Sequence, residues 1–215
     1  SSIAERYKKT FNLEPIVVMN APEIEPSLRR KVLDPERIRL IHHGIASELR
    51  KPELMIKTIA MCEKRYTLHF MFMPSDYQHY LKDLAEEIAP GRVSFNDPVK
   101  PEEIVKNISK YDVGFSLIAP TNYNYLVSLP NKFFEYISAG LAVCTGPSPS
   151  MVEIVEKYNL GCVFPSFDPS DISQMLNNID ADKWISMQQA AREASKFLNS
   201  DNEMEKVLNL FTKLL

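Results

Sequence analysis

Four side chains stand where a phosphorylated, hydroxylated ligand would need them. Arg50 and Lys51 come directly before one predicted helix, and Lys132 and Glu135 fall inside another. Paired cations where a loop turns into a helix suit a diphosphate, because a guanidinium offers a planar fork of donors and an ammonium a compact charge. Lys132 and Glu135 are three residues apart and so share one helix face. The lysine would sit beside the helix N-terminus, whose free N–H groups carry partial positive charge, and the glutamate one turn further in. An anion at the tip and vicinal hydroxyls over the glutamate would satisfy both, since one carboxylate can accept from two hydroxyls. Taken alone, an Arg-Lys pair is ordinarily two solvated surface charges. Glu135 likewise has the alternative of pairing with Lys132 or Asn131 on its own helix, worth about 0.2–0.5 kcal/mol.

The remaining candidates carry less. His42 and His43 end a predicted strand before Gly44. Strand alternation buries one and turns the other outward, and His43, nearer the carboxyl end, is the one placed to touch a ligand. His69 reads as a core or cross-strand residue, His79 as exposed, and Asp112 as a cap rather than a base. The loop Gly44-Ile45-Ala46-Ser47 lacks both the GxGxxG pattern and Gly-Lys-Ser/Thr, so it is neither a dinucleotide fingerprint nor a Walker loop. No Ser/His/Asp or Cys/His constellation stands at a useful spacing. Cys62, Cys144 and Cys162 are odd in number and far apart, which reads as buried free thiols in a reducing compartment, and no metal-ligand spacing occurs.

The element that must position these groups runs from Ser128 to Val143. Ser128 is a candidate cap, Pro130 fits a first turn, and Gly140 can close the far end of a helix of about three turns. Phe133, Phe134 and Ile137 form its apolar stripe, and Asn131, Lys132, Glu135 and Ser138 its polar side. Around it the chain alternates. Strands are predicted at Ile38–His43, Leu68–Met73, Arg92–Phe95, Val113–Ile118, Leu141–Cys144 and Cys162–Phe164. Helices are predicted at Glu53–Glu63, Asp76–Ile88 and Pro101–Ile108. That rhythm implies right-handed crossovers and a Rossmann-like, doubly wound parallel sheet, an α/β fold whose ligands lie beyond the carboxyl ends of the strands.

The ends of the chain differ from its middle. Ser1–Lys9 is a charged, weakly helical opening, Ile16–Met19 a short apolar strand, and the next dozen residues, with Pro22, Pro26 and Pro35, a tether. The last part is helical over Pro169–Ile179, Asp182–Phe197 and an amphipathic Asn202–Leu215, which needs a surface to lie on. This gives an inter-domain segment at 1–35, a Rossmann-like domain at 36–200 and a C-terminal helix at 201–215. Such an opening suggests a piece of a longer chain. Net charge is −3 with no basic block, which argues against a nucleic-acid partner or a polybasic anchor. No window approaches the ~20 apolar residues that span a bilayer, and the expected location is cytoplasmic.

Between Asn20 and Ile179 the chain resembles the C-terminal, nucleotide-sugar-binding half of a GT-B glycosyltransferase, similar to glycosyltransferase family 4, the glycosyl transferases group 1. The most specific parts are Pro130-Asn131-Lys132, then Glu135-Tyr136 and Gly140, and Gly161 after Glu153-Ile154-Val155. Ser1–Pro22 is similar to the passage where the N-terminal half hands over to the C-terminal half. The resemblance implies that Lys51, with Arg50 beside it, binds the donor diphosphate, and that Glu135 accepts from the ribose. It implies that Ser128, Leu129, Pro130, Asn131 and Lys132 face the phosphates, and that Phe95–Val99, with Asn96 and Val99, contacts the base largely through backbone. Gly44 begins the phosphate loop. Lys51, Arg50 and Glu135 are then the catalytic candidates.

Two departures stand out. Counting eight back from Glu135 reaches Val127, where many members have a sugar-contacting Glu, and Gly44-Ile45 replaces a common Gly-Arg. The implied activity is metal-independent, cofactor-free transfer of a hexosyl-like sugar from a UDP- or GDP-linked donor. The acceptor, a glycan or lipid, would be held by an N-terminal half, through which any membrane association would occur, and this half alone would be inactive. The alternatives are a catalytically idle nucleotide- or partner-binding module and a GT-B-fold nucleotide-sugar epimerase.

Overall fold

The two long strands, β1 (Ile38–Ile45) and β2 (Tyr66–Met73), pair in parallel, with Leu40 opposite Leu68 and His42 opposite Phe70. Both are apolar on successive positions rather than alternate ones, as strands covered on both faces must be. Leu40 points into a core with Phe70, Phe115 and Trp184, and its neighbour Ile41 into a core with Phe133, Ile137 and Val143. The structure, a computed structural model, describes residues 2–28 and 32–214.

Its other elements, in chain order, complete a doubly wound domain. Helix α1 (Ser2–Phe11) precedes β1, and α2 (Glu53–Met61) and α3 (Tyr77–Ile88) flank β2. Next come β3 (Val93–Asn96), α4 (Ile104–Ile108), β4 (Val113–Ser116), α5 (Tyr123–Val127), α6 (Asn131–Ser138) and β5 (Ala142–Thr145). The chain ends with α7 (Pro149–Tyr158), β6 (Gly161–Val163), α8 (Pro169–Asn177), α9 (Ala181–Ser195) and α10 (Ser200–Leu214). The six strands are all parallel in the order β3-β2-β1-β4-β5-β6. The order reverses between β1 and β4, so the crevice for a ligand opens at their carboxyl ends. Among the described residues no helix is long and apolar enough to cross a membrane.

Helix α6 is held from both ends and from below. Pro130, in extended geometry (φ −72°, ψ 150°), is its N-cap, and the Pro130 carbonyl accepts the Phe133 N–H at 2.9 Å. At the far end Gly140 (φ +70°) donates to Ile137 and Leu141 to Tyr136, both at 3.0 Å. This is the paired closure that a residue of positive φ makes possible. Beneath, Tyr136 sinks into the sheet over Gly114, where a Cβ would lie 2.2 Å from the Tyr136 ring.

Several expectations need correction. Ser128 is not the cap of α6: it ends α5, a short helix capped by Asn122 that the sequence reading did not anticipate, and α6 starts at Asn131. Ile16–Met19 is not a strand and has no ladder partner among the described residues, and Ile16 and Val18 are half exposed. A strand needs a partner to take its backbone hydrogen bonds, and this segment is not among the six strands of the described sheet. Pro101–Ile108 divides into a 3-10 turn over Pro101–Glu103 and α4. In α2, Ile56 and Ile59 are buried and Met61 is exposed.

The segment before β1 is held to the domain by polar contacts: Asn20 Nδ2 donates to Asn131 Oδ1 (2.9 Å) and the Met19 N–H to Glu203 Oε2 (2.9 Å). The Ser200 N–H donates to the Pro22 carbonyl (3.0 Å). Helix α10 leaves Met204, Leu208 and Phe211 more than half exposed. Leu215, the end of its expected range, and residues 29–31 of the expected tether lie outside the described residues. Cys62, Cys144 and Cys162 are buried and free.

Candidate functional site

The end of β1 presents His42, His43 and Gly44. Both histidines are buried, His42 at 2% exposure and His43 at 4%, because β1 is central and covered on each face. The expectation that one would look outward fails for that reason. His42 Nδ1 lies 2.7 Å from the Phe115 carbonyl oxygen, which can only accept, so this nitrogen carries the hydrogen. The opposite nitrogen, Nε2, is 3.1 Å from Lys132 Nζ.

Lys132, expected on the polar side of α6, is only 6% exposed. Its amine reaches under the helix to β1, and Gly44 (φ +120°) makes room for it: a Cβ there would stand 3.1 Å from Nζ. One turn on, Glu135 Oε2 lies 3.2 Å from His43 Nε2, in a geometry that makes no hydrogen bond, and the His43 ring meets Tyr136 edge-on at 5.3 Å. Arg50 arrives from the 3-10 turn Glu48–Arg50. His43, Arg50, Lys132 and Glu135 line a cavity of about 410 Å³ with Gly44, Pro130, Asn131 and Ile104.

Burial dominates the electrostatics. It brings the Lys132 amine from 10.5 to about 7, helped by the charge of Arg50 and opposed by Glu135. Burial first, and then Lys132, lowers His43 to about 3, and the same causes, in the same order, take His42 well below its ordinary value. Both rings are therefore neutral. Burial pushes the Glu135 carboxyl up, and Lys132 partly counters it. The pocket thus concentrates Arg50 and Lys132 over a neutral floor, with one carboxylate at its side, which suits an anion carrying hydroxyl groups.

The structure brings Gly44, Arg50, Pro130, Asn131, Lys132 and Glu135 into this one cavity. It leaves the other named residues elsewhere. Lys51 is exposed and closes the 3-10 turn in left-handed geometry (φ 48°, ψ 53°), outside the cavity lining. Asn96, at the end of β3, donates to the Phe70 carbonyl at 3.2 Å. Val99 packs against the core on the α6 side. Ser128 turns its hydroxyl toward the Tyr125 carbonyl. Leu129 lines a separate cavity of about 490 Å³ with Ile3, Tyr7, Val18, Val127 and Phe134, which holds no charged group.

His42 was assigned no ligand role from sequence, and it is the group that orients Lys132. The two are 90 residues apart, so no spacing rule links them. His69 bonds Ser94 across strands at 2.6 Å, the cross-strand role expected of it, whereas Asp112, expected as a cap, accepts from the backbone of Arg39 within β1 at 2.8 Å. No group of three or more His, Cys, Asp or Glu side chains that could hold a metal occurs among the described residues.

Residues 64–210, well over half of the chain, match the family described as glucosyltransferase 3-like, C-terminal domain. The chain belongs to this family. Solved structures of glycosyltransferases share the fold of this glucosyltransferase 3-like domain. WaaG, a glycosyltransferase involved in lipopolysaccharide biosynthesis, matches with a TM-score of 0.66 at 15% identity, over 96% of this chain and 59% of its own. HepE of Anabaena, solved in complex with UDP-glucose, matches with a TM-score of 0.66 at 16% identity, over 82% of this chain and 49% of its own. The C-terminal domain of a glycosyl transferase group 1 protein, LpcC of Francisella tularensis, gives 0.60 at 13% identity, over 76% of this chain and 86% of its own. At such identities the likeness is one of fold, and it agrees with the resemblance read from Pro130 to Gly140. The chain spans about half to three fifths of the WaaG and HepE chains. No functionally curated protein is similar enough in sequence to be matched.

Proposed function

We propose that this glucosyltransferase 3-like domain binds the nucleotide diphosphate sugar of a sugar transferase. Arg50 and Lys132 would hold the diphosphate, and Glu135 would accept from the ribose hydroxyls. The observation that carries this reading is the meeting of Arg50, Lys132 and Glu135 in one cavity at the carboxyl end of β1, beside the reversal in strand order. As the bond from sugar to phosphate breaks, charge grows on the nucleoside diphosphate. Arg50 and Lys132, held in place before the reaction, stabilise that charge more in the transition state than in the ground state, which is where stabilisation accelerates a reaction. In this mechanism the side chains supply the positive charge, no metal or cofactor takes part, and the donor is UDP- or GDP-linked.

In the same proposal residues 1–35 are the inter-domain segment, 36–200 the donor domain and 201–215 a C-terminal helix. The acceptor, a glycan or lipid, is held by an N-terminal half, and the protein works in the cytoplasm, where that half provides any membrane association. The test has two arms. Calorimetric titration of this chain with UDP, GDP, ADP and dTDP and their sugars should show weak binding of one nucleoside diphosphate, and the chain alone should not transfer sugar. The full-length protein with a donor panel should transfer it. Binding of none of the four overturns the donor reading, and binding without transfer by the full-length protein leaves only a nucleotide-binding module.

A further inference from the structure

A buried ammonium is ordinarily matched by a carboxylate, because an unpaired buried charge is costly. Lys132 has no such partner: among the described residues no carboxylate oxygen lies within 4.0 Å of its Nζ. What it has is the bare Nε2 of His42 at 3.1 Å, left as an acceptor because Nδ1 spends its hydrogen on the Phe115 carbonyl. Two basic nitrogens facing each other at that distance share one proton between them. If the ring were charged, its Nε2–H would point at Nζ, which would then have to be the neutral amine. The pair therefore holds one positive charge or none.

Around the pair, β2 brings the rings of Phe70 and Phe72 and β4 the Phe115 carbonyl, all uncharged. β1 brings His43, which is neutral, and the 3-10 turn brings Arg50, which repels a second cation. From α6 itself comes Glu135, which attracts one without reaching ion-pair distance. Helix α4 contributes Ile104, and the turn into α6 contributes Pro130 and Asn131, all uncharged. With no side chain on Gly44, the amine meets the cavity on its open side.

We propose that the Lys132–His42 pair is largely uncharged in the empty pocket and takes up one proton when a nucleoside diphosphate enters, so that donor-site binding is linked to pH. The inference rests on the donor reading above. The proton comes from the buffer and forms the Lys132 ammonium, and the phosphates supply the counter-charge that the protein withholds. An amine held to about 7 by burial and Arg50 is mostly neutral at pH 8, and phosphate oxygens in contact with it favour its charged form. Nucleoside diphosphate, which carries more charge than the donor sugar, should draw the proton more completely.

The experiment is calorimetry of this chain with UDP at pH 8 in buffers of different ionisation enthalpy, with GDP, ADP and dTDP in turn if UDP gives no heat. Alongside it, the Lys132 side chain is titrated by NMR on protein carrying 13C at the lysine Cε, its signal identified by its absence in Lys132→Arg. The expected result is uptake of more than about half a proton per nucleotide at pH 8, shrinking as the pH is lowered towards 7, as a carbon signal that titrates near 7 in the free protein moves up by more than about one pH unit when the site is filled. Lys132→Arg, which cannot lose its proton, should bind without uptake. Should that variant not fold, the parent's own heats and titration still decide. Nucleotide binding with no proton exchange, or a free-protein Lys132 titrating near 10.5, overturns the inference and leaves the donor reading intact. Binding of none of the four nucleoside diphosphates overturns both.

Discussion

Replacing Lys132 by Met should make the empty domain more stable at neutral pH while removing its hold on a diphosphate. The aliphatic stem and its volume are largely kept, and only the amine goes. Bringing the amine from 10.5 to about 7 costs the folded state on the order of 4–5 kcal/mol at pH 7, at about 1.4 kcal/mol for each tenfold change in proton affinity. Against this, the variant loses the contact with His42 and leaves its Nε2 buried without a partner, a cost of about 1–3 kcal/mol. The net gain at pH 7 is then about 2 kcal/mol, or roughly 4–8 °C in Tm for a chain of this size.

The sign of the pH dependence follows from the depressed value. Between about 7 and 10.5 the unfolded lysine still holds a proton that the folded one has lost, so the parent gains stability as pH rises through that window. The Met variant lacks that rise. The two stability curves should cross near about pH 9, with the parent the more stable above it. Urea melts of both proteins from pH 6 to 10.5 measure the difference directly. A variant less stable than the parent at pH 7, or a gap that does not change with pH, would refute the picture of an amine forced to lie uncompensated.

Four further variants have expected outcomes. Glu135→Gln should weaken nucleoside diphosphate binding by about tenfold or more, the share of a charge-assisted contact. Its thermal melt should hold level or rise slightly above the parent's, because burial already disfavours the carboxylate. Arg50→Ala should weaken diphosphate binding by about 1.5–3 kcal/mol and leave the free nucleoside nearly unaffected. Lys51→Ala should do less, since Lys51 lies outside the cavity, and equal losses for the two variants in parallel titrations would place Lys51 on the phosphates. Gly44→Ala, at φ +120° and with its Cβ 3.1 Å from Lys132 Nζ, should lose about 1–3 kcal/mol in a denaturant melt and also lower diphosphate affinity.

The sheet was legible because burial on both faces leaves a mark that survives in the sequence. Apolar runs such as Ile38–His43 and Leu68–Met73 are too short for helices, and helix-period segments follow them. Helix α6 was legible through Phe133, Phe134 and Ile137. Its true start was not, since Ser128 is a favoured cap and Pro130, two residues on, a favoured first-turn residue, and only the preceding α5 settles that the helix begins after Pro130. Ile16–Met19 misled because apolar character specifies burial or exposure only once a partner surface exists. The floor of the site was the least legible part. Alternation predicts opposite faces for His42 and His43, but it cannot say that both faces are roofed, nor that a lysine from 90 residues away ends against one of them.

Gly114 sits on β4, which lends no side chain to the cavity. Yet the ring of Tyr136 lies where its Cβ would be, at 2.2 Å, and Tyr136 is the residue after Glu135. The seating of that ring sets how deeply α6 rides in the sheet, and so how far Glu135 stands from His43 and Lys132 from His42. A single methyl group at position 114 would act as a shim under the helix, tilting the carboxylate and the amine off the two histidines together while touching neither. The tolerance of the pocket is thus gauged from a strand outside it, to within the thickness of one carbon atom.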